Sequence, residues 1–369
     1  MIRQSAAAVA LATLLGGAPA PTLAQAPAAA SAPTVPVLPD SVAAEYVRPH
    51  DRVEIEDGRK LNLFCMGSGE RTVLFDAGGS DWSVIWALVQ PGVAAGARAC
   101  AYDRAGLGYS DPSRMPRTPG AIVEDMHALI HKAGLKTPLV LVGHSLGGFN
   151  VKLYAALYPE DVAGLVLVDP AEERANDRLR SFMIGRYGPS LAARTELSDL
   201  TGLAWLLGRY EACVAAVRVK ELDPASLQYR RCSDPVRAPL GPLIAAERQK
   251  VQVTAAYQEA QASEIANSIY GDLRADAAYA ALFKPGMLGR RPMIVLTHGI
   301  VPPDDPIEAA SMAGWTQLHR ETARLSRRGR QRTVPNTHHN IEIDDPQSII
   351  DAVAEVLTEL DGQAAAAKR

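Results

Sequence analysis

Short apolar runs alternate with stretches of helical spacing along most of the chain. Leu139-Val140-Leu141-Val142 runs straight into Gly143-His144-Ser145-Leu146-Gly147, and 3.6-residue spacing follows through Phe149, Val151, Leu153, Tyr154 and Leu157. Continuous apolar runs predict further buried strands at residues 72–76, 97–102, 162–168 and 292–297. Helical spacing predicts helices over 82–93, 122–133, 309–325 and 346–360. Residues 53–55 and 60–64 alternate in polarity around Asp57-Gly58, a hairpin signal, and 332–335 predicts one more short strand. Strand following helix in this way defines an α/β class, with a mostly parallel central sheet covered by helices on both faces.

The rhythm stops at Ala171. Up to about Gly289 no convincing strand occurs, and helical runs such as 240–266 dominate. Structureless loops longer than ~12–15 residues are uncommon, so this segment is predicted to be an inserted helical cap. The chain then divides into a core at 50–170 and 289–360 and a cap at 171–288.

The ends differ in character. Arg3 and the apolar stretch 6–15, followed by small residues, form an export signal too short to span a bilayer. Residues 1–24 are the predicted signal peptide, with cleavage after Ala24 or Ala26 and a secreted or periplasmic product. Residues 25–49 are Ala/Pro-rich and predicted to be a linker, and 361–369 a disordered tail. No later segment is expected to be long and apolar enough to span a membrane. Four cysteines in an exported chain suggest two disulfides. Pairing Cys65 with Cys100 and Cys213 with Cys232 needs the least rearrangement. A net charge of −3 argues against nucleic acid as a partner. No glycine-rich phosphate loop follows a strand, and no metal site is expected, on the reading that neither a Cys-x-x-Cys nor a His-x-x-x-His pair is present.

Candidate chemistry centres on Ser145. A Gly-x-Ser-x-Gly turn between strand and helix is the form of a nucleophile elbow. Upstream, Ala77-Gly78-Gly79 ends a strand, and Asp103-Arg104-x-Gly-x-Gly-x-Ser110 follows the next. Downstream, His339 precedes the closing helix. On these motifs the sequence resembles the α/β-hydrolase fold family over roughly residues 50–360. Its flanks around Cys65 and Cys100 are similar to a subgroup of bacterial esterase-like hydrolases. The resemblance implies a serine nucleophile with a late histidine base, and the ending His339-x-x-x-x-Asp344-Asp345-Pro346 favours His339 over His338.

The acid is open. Most of the family places it after the strand that here is 292–297, commonly as Gly-x-x-Asp. In this sequence Gly299-Ile300-Val301-Pro302 puts proline there, with Asp304 and Asp305 just beyond. Asp169 stands first, at the end of the strand after the elbow helix; Asp304 is the alternative acid and Asp305 the third. The oxyanion donors are expected to be the backbone N–H groups of Leu146 and Gly79, with Ser80 in reserve. Asp103 and Arg104 are expected to brace the sheet's turn. Trp82 and Trp315 are candidate pocket walls, and His298 a candidate lining residue. His144 is expected to point away from the base, and His127, His131 and His319 to be surface or packing residues.

These residues predict a secreted serine hydrolase that cleaves a small-molecule ester through an acyl-enzyme on Ser145. No cofactor is implied. Amide, lactone or C–C cleavage by the same residues is the alternative within enzymes, and a non-catalytic binding protein on this scaffold the alternative outside them. Dehalogenases and epoxide hydrolases of the fold need aspartate at position 145, where this chain has serine.

Overall fold

A computed structural model describes residues 35–301 and 304–367. The predicted signal peptide lies outside them. Eight strands form one sheet: β1 (Asp51–Glu56), β2 (Arg59–Met66), β3 (Thr72–Asp76), β4 (Arg98–Tyr102), β5 (Leu139–His144), β6 (Val162–Val168), β7 (Pro292–His298) and β8 (Arg328–Val334). Their order is β1-β2-β4-β3-β5-β6-β7-β8. β1 and β2 are antiparallel and β2 meets β4 antiparallel, while β4 through β8 run parallel. The first hairpin turns at Asp57 and Gly58, whose φ angles of 43° and 79° are those of a turn that matches strand twist.

Alternate residues of the apolar runs face opposite layers. Val140 and Val142 pack in one core with Ile349 and Val353 of the closing helix. Leu139 and Leu141 pack in the other with Met126, Leu129 and Ile130 of helix Pro119–Lys132. Both faces are therefore dry, which is why these strands carry no polar alternation. Strand order reverses between β3 and β5, and in open α/β sheets ligands bind at such a switch point, beyond the carboxyl ends of the strands. The glycine loop leaves β3 there, and the elbow leaves β5 beside it, with Asp76 in register with Gly143.

Residues 171–288 contain helices and no strand among the described residues, including Ala175–Tyr187, Pro189–Val217, Gly241–Gln252 and Ala255–Ala266. The single run predicted at 240–266 is broken at Thr254, whose side chain accepts from Tyr257 N and caps the second helix. Pro189–Val217 has 29 residues and is long and apolar enough to cross a membrane, which corrects the expectation that no segment after the export signal is. Here Tyr210 and Cys213 anchor it to the protein: Tyr210 Oη lies 3.1 Å from Ser80 Oγ, and Cys213 is bonded to Cys232. The second disulfide joins Cys65 to Cys100, directly opposite each other on β2 and β4.

Three boundaries need correction. The 25–49 linker contains a helix at Asp40–Tyr46, because Ala43 and Tyr46 are buried and Tyr46 Oη donates to Gln90 Oε1 at 2.9 Å. The 361–369 tail is helical as far as the description runs: helix Pro346–Ala367 continues through a run of alanines, the best helix formers. β8 begins four residues before its predicted start. Its arginines concealed it, since Arg328, Arg330 and Arg332 on this edge strand pair with Glu355 and Glu359 of the closing helix.

Candidate active site

Ser145 sits between β5 and helix Leu146–Leu157 with φ 51° and ψ −118°, a conformation that costs a non-glycine residue of order 1–3 kcal/mol. Its N–H donates to Val168 O at 3.0 Å, and its carbonyl accepts from Ala171 N at 2.9 Å. The flanking glycines make the turn possible. A Cβ on Gly143 would lie 2.3 Å from Gly147 O, and one on Gly147 2.3 Å from Ala77 O.

Asp169 ends β6 at φ 45°, and its carboxylate is nearly buried. His339 Nδ1–H donates to Asp169 Oδ2 at 2.5 Å. His298, at the end of β7, gives two more bonds, from Nδ1 to Oδ2 at 2.7 Å and from its backbone N–H to Oδ1 at 3.1 Å. Burial would raise the pKa of Asp169, but these donors outweigh it and hold the carboxyl well below its usual range. Surrounding protein lowers the basicity of His339, and the Asp169 carboxylate more than reverses this, so its pKa lies above the ordinary histidine value. The structure therefore brings Asp169 and His339 together beside Ser145. Asp304 is exposed, and Asp305 is exposed and caps helix Pro306–Ala323. His338 is also exposed, with both its N–H and its ring bonded to Asp344.

His144 departs from expectation. Its ring lies 4.7 Å from that of His339, and Nε2–H donates to the His339 carbonyl at 2.9 Å. Burial pushes its pKa down to about 3, and burial pushes Glu342 up to about 7, with Glu342 Oε1 3.3 Å from His144 Nδ1. A neutral imidazole under the elbow thus ties down the loop that carries His339. No periodicity or motif in the sequence signals this tie; His298, expected as a lining residue from its place at a strand end, does line the site, and its bond to Asp169 is the part not foreseen.

The glycine loop is held from below by Arg104. Its guanidinium forms a two-bond fork with Glu264 of the cap at 2.6 and 2.8 Å, and it donates to Asp76 Oδ1, Ala77 O and Gly78 O at 2.7, 2.6 and 2.7 Å. The C=O of Gly78 and the N–H of Gly79 share one trans peptide plane and point in opposite directions. Anchoring the carbonyl on Arg104 therefore aims the Gly79 N–H away from it. A Cβ on Gly79 would lie 3.8 Å from Leu146 Cδ2, so the two segments are neighbours. The Leu146 N–H, first in its helix, has no partner within that helix. Ser80 N–H is turned toward Glu264 instead. Asp103 accepts from the N–H groups of Ser83 and Tyr109, bracing its turn.

A cavity of about 240 Å³ opens on Ser145, walled by Asp169, Pro170, Ala171, Tyr270, His298, Trp315, His319 and His339. Tyr270 comes from the cap segment and Trp315 from helix Pro306–Ala323. Trp82 is core, under the Arg248 guanidinium and edge-on to Tyr257. His319 is buried with both ring nitrogens engaged, by Thr297 Oγ1 and Pro170 O.

A family model described as the alpha/beta hydrolase fold matches residues 71–240. The chain has the alpha/beta hydrolase fold. It is similar to an esterase from Thermogutta terrifontis (17% identity, TM-score 0.52, covering 85% of this chain and 99% of that one). It is also similar to a loop variant of the haloalkane dehalogenase DbeA from Bradyrhizobium elkanii (17% identity, TM-score 0.59, 85% and 98%). At these identities the likeness concerns the fold. A curated relative, the mouse (lyso)-N-acylphosphatidylethanolamine lipase, is 36% identical over 90 residues, covering 23% of this chain and 26% of the lipase. The chain spans between 15% and 42% of the length of four further curated relatives.

Proposed function

We propose that the protein is an exported serine hydrolase that cleaves carboxylic esters with short acyl groups. The observation that carries this reading is the hydrogen bond from His339 to Asp169 beside a serine held on a strained elbow. In this scheme His339 takes the Ser145 proton as Oγ attacks the ester carbonyl, then returns it to the departing alcohol. Asp169 keeps Nδ1 protonated, so Nε2 is the basic nitrogen, and it stabilises the imidazolium. The Gly79 and Leu146 N–H groups receive the developing oxyanion. Water then repeats the sequence on the acyl-enzyme. The lipase and esterase named among similar proteins support a hydrolytic reading, and Ser145 separates it from dehalogenases of this fold, which need aspartate there.

The cavity supports a short acyl group: 240 Å³ lies below the ~300–1,000 Å³ usual for drug-sized ligands. Two disulfides fit an oxidising compartment. The test is a panel of p-nitrophenyl esters of increasing acyl length, with a lactone and an amide. Turnover is expected to be highest at two to four acyl carbons, and a preference for long chains, or for the amide, would contradict the proposal. The base works only when neutral, so kcat/KM should rise with pH. The midpoint should lie above the ordinary histidine pKa of about 6.5, because Asp169 favours the protonated ring.

A further inference from the structure

A second cluster of chemistry-bearing side chains lies at the opposite end of the sheet from Ser145. His127 and His131 stand four residues apart on helix Pro119–Lys132, so both rings project from one face. Asp161 faces them from the turn just before β6. One ring nitrogen of each histidine and an Asp161 carboxylate oxygen all lie within 4.8 Å of one another. His131 Nε2 is 2.8 Å and His127 Nδ1 3.5 Å from Asp161 Oδ2.

We propose that His127, His131 and Asp161 form a binding site for a divalent first-row transition cation, with zinc as its natural probe. Two imidazoles and one carboxylate are a ligand set that zinc takes, leaving a fourth position to water. In a tetrahedral site with bonds of about 2.0–2.1 Å, neighbouring donors are about 3.3 Å apart. The two histidine-to-carboxylate separations, 2.8 and 3.5 Å, straddle that value, and the two ring nitrogens lie within 4.8 Å of each other.

The surroundings favour a cation independently of the ligands. His131 lies in the last turn of its helix, and Tyr154 in the last turn of Leu146–Leu157, so the negative ends of two helix dipoles converge on the cluster. Tyr154 Oη donates to Asp161 Oδ2 at 2.8 Å, fixing the carboxylate as outer partners of metal ligands do. His127 is held by stacking on Tyr158, ring centroids 3.8 Å apart. The adjacent Lys132 is turned away, its Nζ donating to Ile55 O. His131 Nε2–H now donates to Asp161, and it exchanges that proton for the cation on binding. The bound ion would join helix Pro119–Lys132 to the elbow helix through Asp161 and Tyr154.

The test is calorimetric titration of the full chain, free of any affinity tag and stripped with EDTA, with zinc chloride. One ion per chain is expected at this site, with a rise in the thermal unfolding midpoint. His131→Ala removes an exposed ligand and should weaken that binding by at least about tenfold; Tyr154→Phe, which takes away the outer hydrogen bond, should cost about 10–100-fold. Metal-free ester turnover of His131→Ala should equal that of the parent. The proposal is overturned if zinc does not bind at millimolar concentration. It is equally overturned if His131→Ala binds zinc as tightly as the parent, which would make the cluster a hydrogen-bond network and place any zinc elsewhere.

Discussion

Asp169→Asn is expected to lower kcat for a short ester by about 10⁴, or about 5.5 kcal/mol of transition-state stabilisation, with little change in the unfolding midpoint. The carboxylate accepts three hydrogen bonds, two of them from imidazole Nδ1 atoms on the same oxygen. Asparagine preserves the shape but replaces one oxygen with a donor. His339 then keeps its proton on Nδ1 only if the amide oxygen faces it, and the charge that stabilises the imidazolium is gone in either orientation. His298 competes for the same amide oxygen, so the favourable orientation is not secured. Asp304→Asn is the control and should stay within twofold of the parent, because Asp304 is exposed. Steady-state kinetics at matched folding decide the matter: a loss below tenfold in Asp169→Asn would remove Asp169 from the mechanism.

The second large effect concerns Arg104. Its side chain is 1% exposed and pairs with Asp76 and Glu264, themselves at 1% and 0%. Arg104→Ala would leave two carboxylates without their cation in the dry interior and two loop carbonyls, Ala77 O and Gly78 O, short of a donor. Breaking a buried ion pair by removing one partner costs about 3–5 kcal/mol. Arg104→Lys keeps the charge but not the planar fork, so it should recover part of that stability and little of the geometry at Gly78. Denaturant melts would give the first effect. The second would appear as a fall in kcat in Arg104→Lys under conditions where it is fully folded. If both variants melt with the parent and turn over at its rate, the Arg104 brace has no role in the glycine loop.

Much of the fold was legible because its central strands are buried on both faces, and such strands write themselves as unbroken apolar runs. β3, β5, β6 and β7 could be read this way, and the motif residues at their carboxyl ends came with them. The parts that escaped are those where another interaction replaces apolar burial. β8 hides behind arginines that pair with the closing helix. The cap's order comes from side-chain contacts that carry no period. The acid was ambiguous for a related reason. Asp169 and Asp304 both follow strands near the expected place, and only the pairing of β6 with β7, which sets Asp169 N–H on Leu296 O, brings one of them to His339. His144, His298 and Glu342 act through distances that no spacing records. The helical pair His127 and His131 does carry a His-x-x-x-His spacing, which corrects the expectation that no such pair is present, but its third member, Asp161, lies thirty residues away and meets it only in the folded chain.

The central claim is that Ser145 is an activated nucleophile, and active-site labelling tests it most directly. Incubation with a fluorophosphonate, followed by intact mass measurement and peptide mapping, should show one adduct per chain, on the peptide that contains Ser145. Ser145→Ala should show none while unfolding at the same temperature as the parent. An unlabelled parent chain, or an adduct that persists in Ser145→Ala, would contradict the account.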